Sequence, residues 1–186
     1  MVSSFQFSNA GALISIQILI CIDSIELVYS TNASFVYSED FTSPVLKLLA
    51  PQKGEVILDL GSGSGELSLR ISELLGNKGT LILVDSSPSL MEKAEFILRG
   101  KKGISFILED GHNLINLDIR PVDAVFSNAA LHWMKKDPGL VVEGVFKNLK
   151  KGGRFCGEFG GFLNMVGVRS SLHTALKSRG KRSYPQ

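Results

Sequence analysis

Residues 57–71 read ILDLGSGSGELSLRI, an apolar run that ends in three glycines at alternate positions, Gly61, Gly63 and Gly65, before a segment of helical character begins. Glycine inside a rigid element costs roughly 0.5–1 kcal/mol relative to alanine. Three glycines so close together mark a place where something approaches the backbone too closely for a Cβ. A tight strand-to-helix turn needs one such residue. The surplus predicts a ligand, because a Gly-rich turn leading into a helix presents backbone N–H groups with no side chains in the way.

Outward from this stretch the chain alternates. Residues 56–60 form a short apolar run bounded by turn signals, which predicts a buried strand. Upstream, Phe41, Val45, Leu46, Leu48 and Leu49 fall on one helical face, with Pro44 early where proline is tolerated, and residues 51–54 form a turn. Downstream, helical spacing over 66–75 stops at Gly76, and residues 80–84 read as a strand. A helix over 87–98, with Pro88 in its first turn, precedes a strand over 104–108. A short segment at 112–117 leads to a strand at 122–126 and a helix at 137–149. A turn at Gly152-Gly153, a fifth strand at 154–159 and a last helix at 163–177 follow. This order predicts an α/β fold: a doubly wound, mostly parallel sheet with helices on both faces. Ligands in such sheets bind beyond the carboxyl ends of the strands, where the strand order reverses. The candidate site is therefore residues 59–65, Asp85, 109–112 and 127–133.

Composition narrows the class. The 186 residues are 44% hydrophobic and 20% charged, enough for one domain with a real core and unlike a disordered chain. Twenty Lys and Arg against 18 Asp and Glu give a net charge of +2, too near zero to argue for nucleic acid or an acidic membrane. The cations at 177–182 read as a solvated basic tail over 179–186. Two cysteines without CxxC spacing and three scattered histidines predict no metal site and suit a reducing, cytoplasmic setting. The apolar run AGALISIQILICI at 10–22 is shorter than the roughly 18 residues of a membrane span and lacks a preceding positive region. Isoleucine at 14, 16, 18, 20 and 22 has a period of two, which predicts an extended strand in an atypical N-terminal segment over 1–31.

Asp85 stands 20 residues after Gly65, at the end of the second strand of the regular region. A carboxylate there can accept from both hydroxyls of a ribose, and Ser86, Ser87 and Ser89 can cap the next helix in its stead. Dinucleotides want G-x-G-x-x-G with a helix N-terminus facing the pyrophosphate. Here the spacing is G-x-G-x-G and Glu66 opens the helix, so a ligand without phosphate is expected and an NAD(P)-dependent oxidoreductase is disfavoured. No Gly-Lys-Ser/Thr follows, so the phosphate-binding loop of nucleotide hydrolases is absent.

VILDLGSGSGELSL resembles the first motif of the class I S-adenosylmethionine-dependent methyltransferases. VDSSPSLMEKA resembles their second-strand motif, EDGHNL the acidic motif after the third strand, VFSNAALHWMKKD the fourth and LKKGGRFCGEF the fifth, with Lys151 where proline is usual. Within the class the chain is most similar to the type 11 small-molecule group that includes trans-aconitate methyltransferase. The likeness covers residues 32–178, including a lead-in, NASFVYSEDFTSPVLKLLAPQ. It implies S-adenosyl-L-methionine as cofactor. Gly61, Gly63 and Gly65 would line its methionine, Asp59 would steer the amino group, and Asp85, with Ser86 beside it, would hold the ribose. Asp110 would accept from the adenine amine with Gly111 and His112 near the ring, and Asn128 and Ala129 would close the sulfonium end. His132 is the candidate base and Trp133 a candidate wall of the acceptor pocket.

The resemblance implies a methyl transfer to a small-molecule acceptor, with a carboxylate oxygen as one candidate. Family members end in an antiparallel strand pair, for which nine residues after 177 leave no room, so the sheet is expected to lack its last two strands. A truncated cofactor-binding pseudoenzyme is the alternative this raises. Nucleic acid as acceptor is not expected, since no aromatic-basic platform follows the fourth strand. The oligomeric state is not legible.

Overall fold

The computed structural model describes residues 2–9, 12–21 and 39–160. They form a seven-stranded sheet flanked by four helices. The strands are β1 (Val2–Asn9), β2 (Ala12–Cys21), β3 (Val56–Leu60), β4 (Thr80–Asp85), β5 (Ile104–Leu108), β6 (Val122–Asn128) and β7 (Leu149–Gly160). The helices are α1 (Glu39–Leu49), α2 (Glu66–Leu75), α3 (Pro88–Ile97) and α4 (Pro138–Asn148), with 3-10 turns at Gly111–Asn116 and Leu131–Trp133. Spatial order is β1-β2-β7-β6-β3-β4-β5, and every neighbouring pair is parallel except β1 with β2.

The continuous apolar runs are explained by burial on both faces. Leu58, Leu60, Ile82, Val84, Val125 and Phe155 point one way and pack under Leu114, Val141 and Val145 of the first 3-10 turn and α4. Ile57, Leu81, Leu83, Ala124, Phe126 and Cys156 point the other way, under α1, α2 and α3 through Val45, Leu49, Leu67, Ile71 and Ala94. Successive residues of one strand alternate between the two cores, as the pleat requires. Arg154 ties the lower end of the sheet together. Its guanidinium reaches Glu55 at 2.7 and 2.8 Å and the Leu49 carbonyl at 2.6 Å.

One expectation is revised and another gains a partner. The turn expected at Gly152-Gly153 lies inside β7, which begins at Leu149 rather than 154. Between the pairs Val122↔Leu149 and Ala124↔Arg154, β6 advances two residues while β7 advances five, so the glycines sit in an irregularity of one strand, with Gly152 at φ 78°. The isoleucine run is extended, as its period predicts, and it joins the sheet of the domain. It is β2, paired in parallel with β7 from Ser15↔Arg154 to Cys21↔Gly160. Where the sheet is expected to lack two strands, a hairpin from the N-terminal segment thus lies beside β7. The helix expected at 163–177, the residues leading into α1 and the basic tail lie outside the described residues. No described helix is long and apolar enough to cross a membrane.

Candidate functional site

β3 lies between β4 and β6. The chain steps outward through β4 and β5, then returns to the far side of β3 as β6. This reversal splays the connecting segments apart and opens a crevice over the carboxyl ends of the strands. It has two lobes of about 270 and about 190 Å³. Gly61, Asp85, Leu90, Ala130 and Trp133 border both.

All three loop glycines adopt positive φ, 73°, 58° and 89° at Gly61, Gly63 and Gly65. What excludes a Cβ at two of them is protein. A Cβ on Gly61 would overlap the Ala130 methyl, and one on Gly65 would lie 2.9 Å from the Ala94 Cβ. Gly65 borders neither lobe; it lets α2 start hard against α3. Gly61 and Gly63 line the crevice.

Four carboxylates face this space. Asp59 is 2% exposed and accepts from the Ser68 hydroxyl at 2.6 Å. Burial pushes its pKa up to about 7; the Ser68 bond opposes that shift and the nearby Asp85 charge adds to it. Asp85 accepts from the Gly63 N–H at 2.8 Å on one oxygen and the Ser87 N–H at 2.9 Å on the other. Two backbone bonds thus fix the plane of the carboxylate, and each oxygen keeps a further lone pair. The Ser87 hydroxyl, not Asp85, caps α3. In the larger lobe Glu109 accepts from the Asp110 N–H at 2.8 Å, and Asp110 accepts from the His112 N–H at 2.9 Å. That backbone bond and the His112 ring hold Asp110 below the usual carboxylate range. Ser86 and Gly111 complete this side, the latter leaving room for Met134.

The opposite wall comes from the end of β6. Asn128 and Ala129 border the smaller lobe. Ala129 has φ 51°, a conformation alanine avoids, and its N–H donates to the Glu158 carbonyl at 2.8 Å. Trp133 is 72% exposed and borders both lobes. His132 borders neither lobe. Residues of a 3-10 turn point a third of a circle apart, so the turn that aims Trp133 at the crevice carries His132 aside. Its Nδ1 is buried with no hydrogen-bond partner among the described residues, and burial, with Lys135 adding to it, lowers its pKa.

No Lys or Arg borders either lobe. Glu66, expected to repel a pyrophosphate, also stands outside both and accepts from the Ser64 hydroxyl at 2.6 Å. The repulsion comes instead from the carboxylates within. Ser62 borders the smaller lobe, and its hydroxyl is buried without a hydrogen-bond partner among the described residues, so it has bonding capacity to spare at that wall. Sequence reasoning missed Ser68, Leu90 and Met134, and assigned no role to Ser62 and Ala130 within its ranges 59–65 and 127–133. Of these only Ser68 carried a signal, as a small polar residue beside Leu67 and Ile71 on the buried side of α2.

A family model described as a methyltransferase domain matches residues 51–164. The chain belongs to this family, the class I S-adenosylmethionine-dependent methyltransferases. An uncharacterized methyltransferase of Schizosaccharomyces pombe is 32% identical over 158 residues, 82% of this chain and 57% of that protein. A tRNA (cytosine(72)-C(5))-methyltransferase of Pyrococcus horikoshii is 27% identical over 124 residues, 65% of this chain and 32% of that protein. Among solved structures, a SAM-dependent O-methyltransferase of Thermotoga maritima superposes with a TM-score of 0.56 at 21% identity, covering 73% of this chain and 49% of that one. That likeness is one of fold. The chain spans no more than 57% of the length of either curated relative, and neither is named as a trans-aconitate methyltransferase.

Proposed function

We propose that this chain binds S-adenosyl-L-methionine in the two-lobed crevice and transfers its methyl group to a small, anionic acceptor, a carboxylate oxygen being the favoured nucleophile. The observation that carries the binding is the lining: Asp59, Asp85, Glu109 and Asp110 with no Lys or Arg. Such a space attracts an ammonium and a sulfonium and repels a pyrophosphate. Asp110 would take the adenine amine, Asp85 the ribose hydroxyls, and Asp59 with Ser62 and the Gly61–Gly63 backbone the methionine end. Asn128 and Ala129 would border the sulfur.

The cofactor, when bound, supplies a methyl group already activated on positive sulfur and takes the bond pair back as a neutral thioether. The chain's task is then alignment and exclusion of water. The placement of His132 away from both lobes favours an acceptor that is anionic at neutral pH, since such a nucleophile needs no base. Lys135 and Lys136 follow Trp133 on the exposed rim, where they can draw an acid toward the wall.

Calorimetric titration with S-adenosylhomocysteine tests the binding; transfer of labelled methyl to a panel of carboxylic acids, alcohols, amines and tRNA tests the rest. Binding together with carboxylate labelling is expected. Binding without transfer to any acceptor would mark a cofactor-holding pseudoenzyme, labelling of tRNA would overturn the choice of acceptor, and absence of binding in folded protein would overturn the whole reading.

A further inference from the structure

His112 connects its own segment, which lines the larger lobe, to Asp137, 25 residues further on and just beyond the lining residues Trp133 and Met134. Its Nε2 lies 3.2 Å from the backbone nitrogen of Asp137, the residue that caps α4. A backbone N–H can only donate, so Nε2 accepts and the ring proton is on Nδ1. Nδ1 lies 2.6 Å from Asp110 Oδ1, which also receives the His112 backbone N–H at 2.9 Å. The imidazole side chain is only 15% exposed, while that of Asp110 is 56% exposed. One oxygen of Asp110 is therefore occupied by two donors, and no described hydrogen bond uses the other.

We infer that His112 is a positioning residue. By saturating Oδ1 of Asp110 and anchoring to Asp137, it leaves Oδ2 as a fixed acceptor that selects a purine carrying an exocyclic amine over one carrying a carbonyl. The inference rests on the proposed reading of the larger lobe as the adenine site. The selectivity has a simple origin. An amine donates to Oδ2, whereas a purine carbonyl at the same place sets two acceptors against each other, with the ring excluding the water that would otherwise separate them. A freely rotating carboxylate could turn away from the carbonyl. The two His112 bonds and the anchor at Asp137 oppose that rotation. The segment 130–137, which carries Trp133 and Met134 along the crevice, is held by the same ring.

The test compares S-adenosylhomocysteine with its deaminated form, S-inosylhomocysteine, by calorimetry on the full chain. The native protein is expected to prefer the amine by about 10- to 100-fold. Asp110→Ala should reduce that ratio to within about threefold, and His112→Leu should do the same while leaving binding of the deaminated ligand nearly unchanged. His112→Asn, which keeps a donor near the position of Nδ1, should restore most of the preference. A merely structural histidine would weaken both ligands equally, and that result overturns the inference. If Asp110→Ala leaves the ratio intact, the adenine reading itself is wrong; if Asp110→Ala collapses it and His112→Leu does not, only the inference fails. Nitrogen-15 resonances of the native imidazole give a readout free of substitution: Nδ1 should carry the proton with and without ligand, and protonation on Nε2 alone overturns the inference.

Discussion

On the β3–β4 side of the crevice the carboxylates are held in place before any ligand arrives: Asp59 by the Ser68 hydroxyl, Asp85 by the N–H groups of Gly63 and Ser87. On the β6 side, Ala129 sits at φ 51°, the His132 Nδ1 is buried without a partner among the described residues, and Trp133 is largely exposed. The first wall is preorganised, so little ordering remains to oppose binding. The second carries the strained Ala129 beside an exposed aromatic, a combination typical of functional segments. The contrast separates two tasks. In the proposed function, holding the cofactor falls to acids fixed by the Ser68 hydroxyl and by backbone N–H groups, and meeting the acceptor to an aromatic rim.

The largest way to break this contrast is through the close approach that joins the two walls. Gly61→Ala would force a methyl into Ala130 at a positive φ, and should cost about 3 kcal/mol in chemical denaturation. Gly100→Ala, also at positive φ but with open space around it, should cost only about 1 kcal/mol. Equal losses would show that backbone strain, and not contact between the walls, sets the need for Gly61.

Next in size is Asp85→Ala, which should weaken S-adenosylhomocysteine about 50-fold in calorimetry. Unchanged affinity would remove this acid from the ligand.

Asp59 gives a smaller, pH-dependent effect. Its folded pKa of about 7 lies above the ordinary carboxyl value, so the proton favours the folded state. The stability this contributes is full below about pH 4 and is lost as pH rises through about 7. Binding a cationic ammonium favours the ionised form, so affinity should rise by up to about tenfold per pH unit below about 7 and level off above it. Asp59→Asn should flatten the profile. A wild-type profile already flat from about pH 5 to 8 would contradict this account of the buried acid.

Smallest in stability is Trp133→Ala, expected to shift unfolding by less than about 0.5 kcal/mol because the side chain is 72% exposed, while raising the KM for the acceptor. A large loss of stability with unchanged KM would make the tryptophan a packing residue.

Much of the cofactor wall was legible because local chemistry dictates it. Alternating apolar runs gave β3 to β6 with small changes of boundary, and glycines followed by an acid at the next strand end identified the crevice. The purpose of individual residues was less legible. Gly61 and Gly65 read as ligand glycines, yet Ala130 and Ala94 fill the space beside them, neighbours that no local pattern announces. Glu66 was read as facing the ligand, whereas the first turn of α2 aims it outward. The pairing of β2 with β7 joins segments more than a hundred residues apart, and strand periodicity sets a strand's faces without naming its neighbour. His132 was misplaced because a three-residue turn changes direction at every position.

The most direct test is a crystal structure with S-adenosylhomocysteine bound. The predicted result has both ribose hydroxyls on the Asp85 carboxylate, the purine amine on Asp110 and the amino-acid end beside Asp59 and Ser62. A sugar placed away from Asp85, or a crevice that instead accepts a pyrophosphate-bearing dinucleotide, would contradict the account.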